Sequence, residues 1–277
     1  MSNEPFLKET ESYYSLKQWT GNFPGLVAGI TTRLEGVSKA PFQSLNMGLH
    51  VGDSALSVIR NREKVASSLN FPLSSWVGCE QTHGNQIRVV NIDHKGLGAT
   101  SYDSSMNDTD GLITIEKNLL LTMCYADCVP LYFIDKVTGL IAVAHAGWKG
   151  TVLEIGPKML KKFLDYGSSI SNLEVVIGPS ICKKCYIVDN RVIDKVKKIL
   201  EDEINLPYNL VEEGQYNLDL KKVNELLLLK SGLNSIQIHT SNYCSLCSEE
   251  FFSFRGDGGT TGRMMSFIGW KEPSYES

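Results

Sequence analysis

The 277-residue sequence predicts a mixed α/β (α+β) domain with mixed β-sheets packed between helices. Three observations carry that prediction. Strand-like apolar runs recur along the whole chain, helical spacing of apolar residues occurs in only three places, and a tight turn joins one pair of strand runs. A doubly wound fold would instead alternate strand and helix throughout.

The strand runs at 26–31, 87–92, 119–125, 129–134 and 140–145 are short, apolar and bounded by turn formers. The sequence DKVTG between the last two predicts a β-hairpin. Further strands are expected at 173–177, 235–239, 251–254 and 264–268. The first helix is read from Val152, Ile155, Met159 and Phe163, which keep helical spacing and stop at Gly167. Val192, Val196, Ile199 and Leu200 mark a second. Val223, Leu226, Leu227 and Lys230 mark a third, closed by Gly232. Residues 1–20 are polar and expected to be partly loose, as is the tail at 272–277. Between them, over 21–271, turn signals are spread evenly, so a single domain is expected.

Composition bounds the function. Hydrophobic residues make up 42% and charged ones 21%, which suits a globular chain with a sizeable core. A net charge of −4 gives no basic footprint for nucleic acid, although a local phosphate site stays compatible with it. The N-terminal MSNEPFLKET has no signal-peptide pattern, and no apolar run nears the roughly 20 residues that span a bilayer. A cytoplasmic protein with reduced thiols is therefore expected, and seven cysteines are read as core filler, metal ligand or nucleophile.

Of five histidines, two stand in segments that look like sites. His83 lies in QTHG before a strand, and His145 opens HAGWKG where a strand gives way to a helix. Between them ADCVP places Cys128, preceded by Asp127, at the junction of two strands. Strand ends are where a rigid scaffold exposes functional groups. Two imidazoles and a thiolate suit zinc, and three protein ligands leave its fourth position open, as in catalytic sites. From the residues alone, a Cys128–His145 nucleophile–base pair without metal stands level with that reading, and buried filler is the bland alternative.

The pairs Cys182–Cys185 and Cys244–Cys247 form two CxxC motifs, but 58 residues separate them, against an interval of about 15–20 in common zinc modules. They are read as mainly structural. A polar set comprises Arg33, Asn46, Arg60 and Arg62 from the early chain and Lys149, Arg255 and Arg263 from glycine-rich motifs. Arginines beside the glycines of RGDGGTTGR can bind phosphate bidentately, while a solvated turn is the plainer alternative.

Together these segments carry a resemblance. TTRLEGVS at 31–38, SLNMG at 44–48, NRE at 61–63, QTHGNQI, DTDGLIT, ADCVPL, HAGWKG, IGPSICKKCYIV and FFSFRGDGGTTGR occur in one order along nearly the whole chain. The sequence resembles the YfiH family, also called the laccase-domain or polyphenol-oxidase family. The resemblance implies a four-layer α/β/β/α sandwich and a catalytic zinc held by His83, Cys128 and His145. It also implies purine nucleosides and phosphate as partners, with phosphorolysis of adenosine, inosine and methylthioadenosine and deamination of adenosine. Some relatives are credited with copper-dependent phenol oxidation or with editing of cell-wall precursors. Two departures stand out: Arg255-Gly256-Asp257 where Arg-Arg-Asp is common, and Leu34-Glu35-Gly36 where a Gly-Gly turn is common.

For deamination, zinc lowers the pKa of a bound water to about 7, and Asp127 is the candidate proton shuttle, with an orienting role as its alternative. For phosphorolysis, Asn46, Arg62, Lys149 and Arg255 are the candidate substrate and phosphate contacts. A multicopper laccase also needs a histidine-rich cluster, which five histidines without an HxH pair do not build. A single copper replacing zinc fits the order of intrinsic affinities. The sequence is compatible with a monomer.

Overall fold

The computed structural model describes residues 4–201 and 203–272. In chain order it opens with strands β1 (Phe6–Thr10) and β2 (Tyr13–Leu16), helix α1 (Lys17–Asn22), β3 (Leu26–Thr31) and helix α2 (Ala55–Leu69). Then come β4 (Trp76–Val77), β5 (Ile87–Val89), β6 (Gly111–Thr114), β7 (Leu119–Tyr125), β8 (Val129–Asp135) and β9 (Ile141–Ala146). Helices α3 (Trp148–Val152) and α4 (Ile155–Asp165) precede β10 (Leu173–Ile177), β11 (Ile187–Asp189) and α5 (Asn190–Ile199). The chain closes with β12 (Tyr208–Glu212), β13 (Gln215–Leu218), α6 (Leu220–Lys230), β14 (Ile238–Thr240) and β15 (Met264–Trp270).

Two six-stranded mixed sheets result, in the orders β1-β2-β3-β15-β7-β4 and β14-β10-β8-β9-β6-β5, with β11-β13-β12 as a small third sheet. Side-chain alternation on the strands fixes how they stack. On β7, Leu119, Leu121, Met123 and Tyr125 face the core between the sheets, where they meet Ile141 and Val143 of β9 and Tyr132 and Ile134 of β8. The opposite row of the second sheet, Leu131, Phe133, Ala142 and Ala144, packs on Ile155, Met159 and Phe163 of α4 and on α5 and α6. Outside the first sheet, Leu120 and Phe267 pack on Val65, Ala66 and Leu69 of α2. The layers thus run helix, sheet, sheet, helix, as the resemblance implied, and β8 and β9 form the expected antiparallel hairpin.

Several boundaries differ from expectation. The first 20 residues are not loose where they are described: β1 and β2 pair at the edge of the first sheet, burying Phe6, Tyr14 and Leu16, and Trp19 of α1 is buried too. The Tyr14 hydroxyl also donates to Glu250. Of the tail, residues 273–277 lie outside the described residues. The helix read through Val152 and Ile155 is two helices, broken at Glu154 with φ +58°. Pro157, in the first turn of α4, has no N–H and its ring would strike the carbonyl of Leu153, so α3 cannot run on. Residues 251–254 form no strand; Phe251 and Phe252 are buried by packing into the intersheet core. The strand expected at 235–239 is a short 3-10 turn followed by β14, and that at 87–92 ends at Val89. Helix α2 was not read because its buried face carries Asn61 and Arg62 among the apolar residues. Among the described residues, no helix is long and apolar enough to cross a membrane.

Candidate metal centre

His145 continues the row of Ile141 and Val143 toward the intersheet layer, and its ring lies 5.5 Å from that of Tyr125. Cys128 sits at the tight connection between β7 and β8, after Asp127, whose φ is +87°. His83 arrives from a loop before β5 and is itself in the left-handed region at φ +61°. That conformation is unfavourable for a residue with a Cβ and persists only where its surroundings over-determine it.

Here the determinant is Asp110, just before β6, whose carboxylate is fully buried. It accepts the backbone N–H of Thr82 at 3.2 Å, of His83 at 3.1 Å and of Gly84 at 2.7 Å. It also lies 2.8 Å from Nδ1 of His145. One carboxylate therefore shapes the loop that carries His83 and fixes the ring that His145 presents. An N–H at Nδ1 leaves Nε2 of His145 as the free lone pair, the arrangement found behind metal-ligating histidines. Burial pushes Asp110 up, but the His145 contact outweighs it and holds the carboxyl below its usual range.

The ligating atoms of His83, Cys128 and His145 all lie within 4.8 Å of one another, with the two imidazole rings 4.8 Å apart and nearly perpendicular. Gly147 closes on this group so tightly that a Cβ would stand 2.9 Å from the Cys128 sulfur and 3.2 Å from the His83 ring. The donor set, two nitrogens and one sulfur, fits a zinc ion with one position open. Burial pushes the Cys128 thiol up, but His145 and His83 outweigh it and bring it down to about 6. Burial likewise lowers His145, while Cys128 and Asp110 carry it up to about 9. Without metal the pair is thus a thiolate facing an imidazolium.

The trio opens into a cavity of about 380 Å³, lined also by His50, Gln81, Tyr186, Phe254, Arg255 and Arg263. Asp127 lies on this wall, but both carboxylate oxygens are engaged: Oδ1 accepts from Ser245 Oγ at 2.6 Å, and Oδ2 from the Arg255 backbone N–H at 2.7 Å. Arg255 stands exposed at the rim, one guanidinium N–H donating to the Ile187 carbonyl at 3.1 Å.

Three other expected contacts are not cavity groups. Arg62 is buried and gives its donors to the carbonyls of Met47, Gly98 and Ala99 at 2.6–2.9 Å. A guanidinium so occupied braces backbone and has no fork left for phosphate. Asn46 is fully buried, accepting the N–H groups of Gly48 and Arg263 and donating to Asp53. Lys149 is exposed on α3 beside the Trp148 ring, outside the cavity wall. Conversely, Asp110 was visible only as part of DTDG, with nothing local to mark it as the hub. Arg263, expected with Arg255 as a phosphate-binding arginine of the RGDGGTTGR turn, lies on the cavity wall. The CxxC pairs meet in space as a second group of possible metal ligands, and none of the four lines this cavity.

Residues 27–271 match the model of a protein family described as "Multi-copper polyphenol oxidoreductase laccase". A Bacillus subtilis protein named purine nucleoside phosphorylase YlmD is 47% identical over 273 residues, covering 97% of this chain and 98% of its own. The crystal structure of YlmD from Geobacillus stearothermophilus superposes with a TM-score of 0.94 at 44% identity, over 97% of this chain and all of that one. The crystal structure titled Bacillus licheniformis hypothetical protein YfiH gives 0.93 at 43% identity, over 96% and 99%.

Proposed function

The chain belongs to the laccase-like family and is similar to YlmD and YfiH over nearly its whole length, and on that premise we propose that it is a zinc-dependent purine nucleoside phosphorylase that also deaminates adenosine. The reading rests on one observation above all. A His–Cys–His group able to hold a metal ion faces a cavity whose wall also holds Arg255, Arg263, Tyr186 and Phe254.

Each group has a task in this reading. His83, Cys128 and His145 hold the ion, which when bound acts as a Lewis acid able to polarise a substrate oxygen or water. Asp110 keeps Nδ1 of His145 protonated, so that the ring presents a single tautomer. Arg255 and Arg263 supply positive charge for an anion such as phosphate. The Tyr186 and Phe254 rings offer apolar faces for a purine. Asp127 is a positioning residue, because its carboxylate holds the backbone of Arg255 and the Ser245 hydroxyl. Adenosine, inosine and methylthioadenosine are the expected substrates, and copper can replace zinc in vitro.

Two other readings are separable. A metal-free cysteine hydrolase is favoured by the thiolate–imidazolium direction of Cys128 and His145, and full activity in protein whose trio holds no zinc would sink the zinc reading. A multicopper oxidase needs a histidine cluster beyond the trio. Among the described residues the only other ligand group is made of cysteines. Purified protein incubated with adenosine and phosphate decides among them by chromatography. Adenine with ribose 1-phosphate supports the proposal, inosine supports its deaminase part, and neither product refutes both.

A further inference from the structure

The long interval between the two CxxC motifs is removed by the sheet. Strands β10 and β14 are parallel neighbours, pairing Val175 with Ile238 and Ile177 with Thr240. Beyond their C-terminal ends the backbones stay together through a parallel bridge between Ser180 and Cys244. Each motif begins within a few residues of that point, so the fold itself sets the two pairs side by side. Each then turns tightly: the Cys182 carbonyl accepts the N–H of Cys185 at 3.0 Å, and the Cys244 carbonyl that of Ser248 at 3.1 Å.

We propose that Cys182, Cys185, Cys244 and Cys247 form a second, structural zinc site of four thiolates. Their sulfur atoms all lie within 4.8 Å of one another, and those of Cys185 and Cys247 are 3.3 Å apart. Four sulfurs at about 2.3 Å from one ion in a tetrahedron are separated by about 3.8 Å, so the cluster needs only small adjustments to close on it. Four thiolates and no open position mark a structural rather than a catalytic site. The backbone is also arranged for a charged sulfur. The Cys244 Sγ accepts the Cys182 N–H at 3.2 Å.

The surroundings answer the net charge of −2 that such a centre carries. Lys183 and Lys184 stand between the first two cysteines. The buried Lys221 donates to the carbonyls of Ser241 and Tyr243 at 2.6 and 3.0 Å, directly ahead of Cys244. The site would fasten together two loops that build one wall of the catalytic cavity. The first loop carries Ile181 and Tyr186, and the second carries Ser245, which binds Asp127.

The experiment is metal analysis by mass spectrometry of protein purified without chelator, using a His83→Ala/Cys128→Ser variant to silence the first site. About one zinc should remain per chain and be released only after four thiols are titrated by a mercurial. Cobalt exchanged into that variant should give the intense charge-transfer bands of a tetrathiolate. Cys185→Ser/Cys247→Ser in the otherwise wild-type chain should lose about one zinc equivalent and melt at least about 5 °C lower. If that variant does not fold, the first-site variant still decides. Iron in place of zinc, less than about 0.2 metal per chain, or a mass deficit showing these cysteines joined as disulfides would overturn the proposal. Because the first site is silenced, failure of the nucleoside reading leaves this result unaffected.

Discussion

Replacing Asp110 with Asn tests the centre at its hub, because Asn keeps the shape and removes one acceptor oxygen and the charge. The carboxylate now serves three backbone N–H groups through Thr82, His83 and Gly84, together with Nδ1 of His145. An amide can be placed in two ways, and both fail. With its NH2 toward Thr82 and Gly84, two partly buried N–H donors face a donor, at about 1 kcal/mol each. With its NH2 toward His145, Nδ1 becomes the acceptor and the proton moves to Nε2, where a metal would bind. Loss of such support typically weakens metal affinity by about 10–100-fold, or roughly 1.4–2.8 kcal/mol. The assay is competition for zinc against a chromogenic chelator, with thermal melting in parallel. We expect affinity lower by that factor and a clear drop in Tm of the metal-free protein. An Asp110→Asn variant that binds zinc within about twofold of wild type would refute the orienting role.

Other outcomes follow from single contacts. Gly147→Ala brings a methyl group to 2.9 Å from the Cys128 sulfur, so turnover should fall by about 100-fold or more with far-UV circular dichroism unchanged. Arg62→Met strips buried carbonyls of their partner and should lower stability by about 3 kcal/mol, while KM for phosphate of the surviving enzyme stays near wild type. Arg255→Ala should instead raise KM for phosphate by about tenfold or more, measured by initial rates, with little change in Tm. In metal-free protein His145 is raised to about 9 and Cys128 lowered to about 6. The His145 contribution to stability is then complete below its unfolded value and lost as pH rises through about 9, whereas that of Cys128 is lost as pH falls through about 6. Alkylation of Cys128 should accordingly be fast above about pH 6, and zinc affinity in a chelator titration should fall as pH drops below about 9, where His145 must lose a proton to bind, and more steeply below about 6.

What the chain revealed before folding was what local spacing encodes. The runs that became β3, β7 and β10 were legible because they are short, apolar and clearly bounded, and His83, Cys128 and His145 because scarce ligand types stood at strand ends. Asp110 was not, because its importance lies in five contacts made across 26 to 35 residues of sequence. Arg62 and Asn46 misled for the converse reason: a polar residue in a motif looks the same in sequence whether it meets a ligand or braces backbone, and burial alone separates the two. The proximity of the two cysteine pairs was hidden because an interval along the chain says little once β10 and β14 pair in parallel.

The claim that the trio is the catalytic metal centre of a nucleoside enzyme is tested most directly by His83→Ala. His83 is exposed on its loop, so its loss should spare the core. Wild-type and variant protein are to be incubated with adenosine and phosphate, with products, zinc content and melting temperature all measured. We predict adenine and ribose 1-phosphate from the wild type. The variant should melt within about 2 °C of wild type, have lost about one zinc per chain, and release no product above background. Product formation by the variant at a rate near that of the wild type would contradict the account.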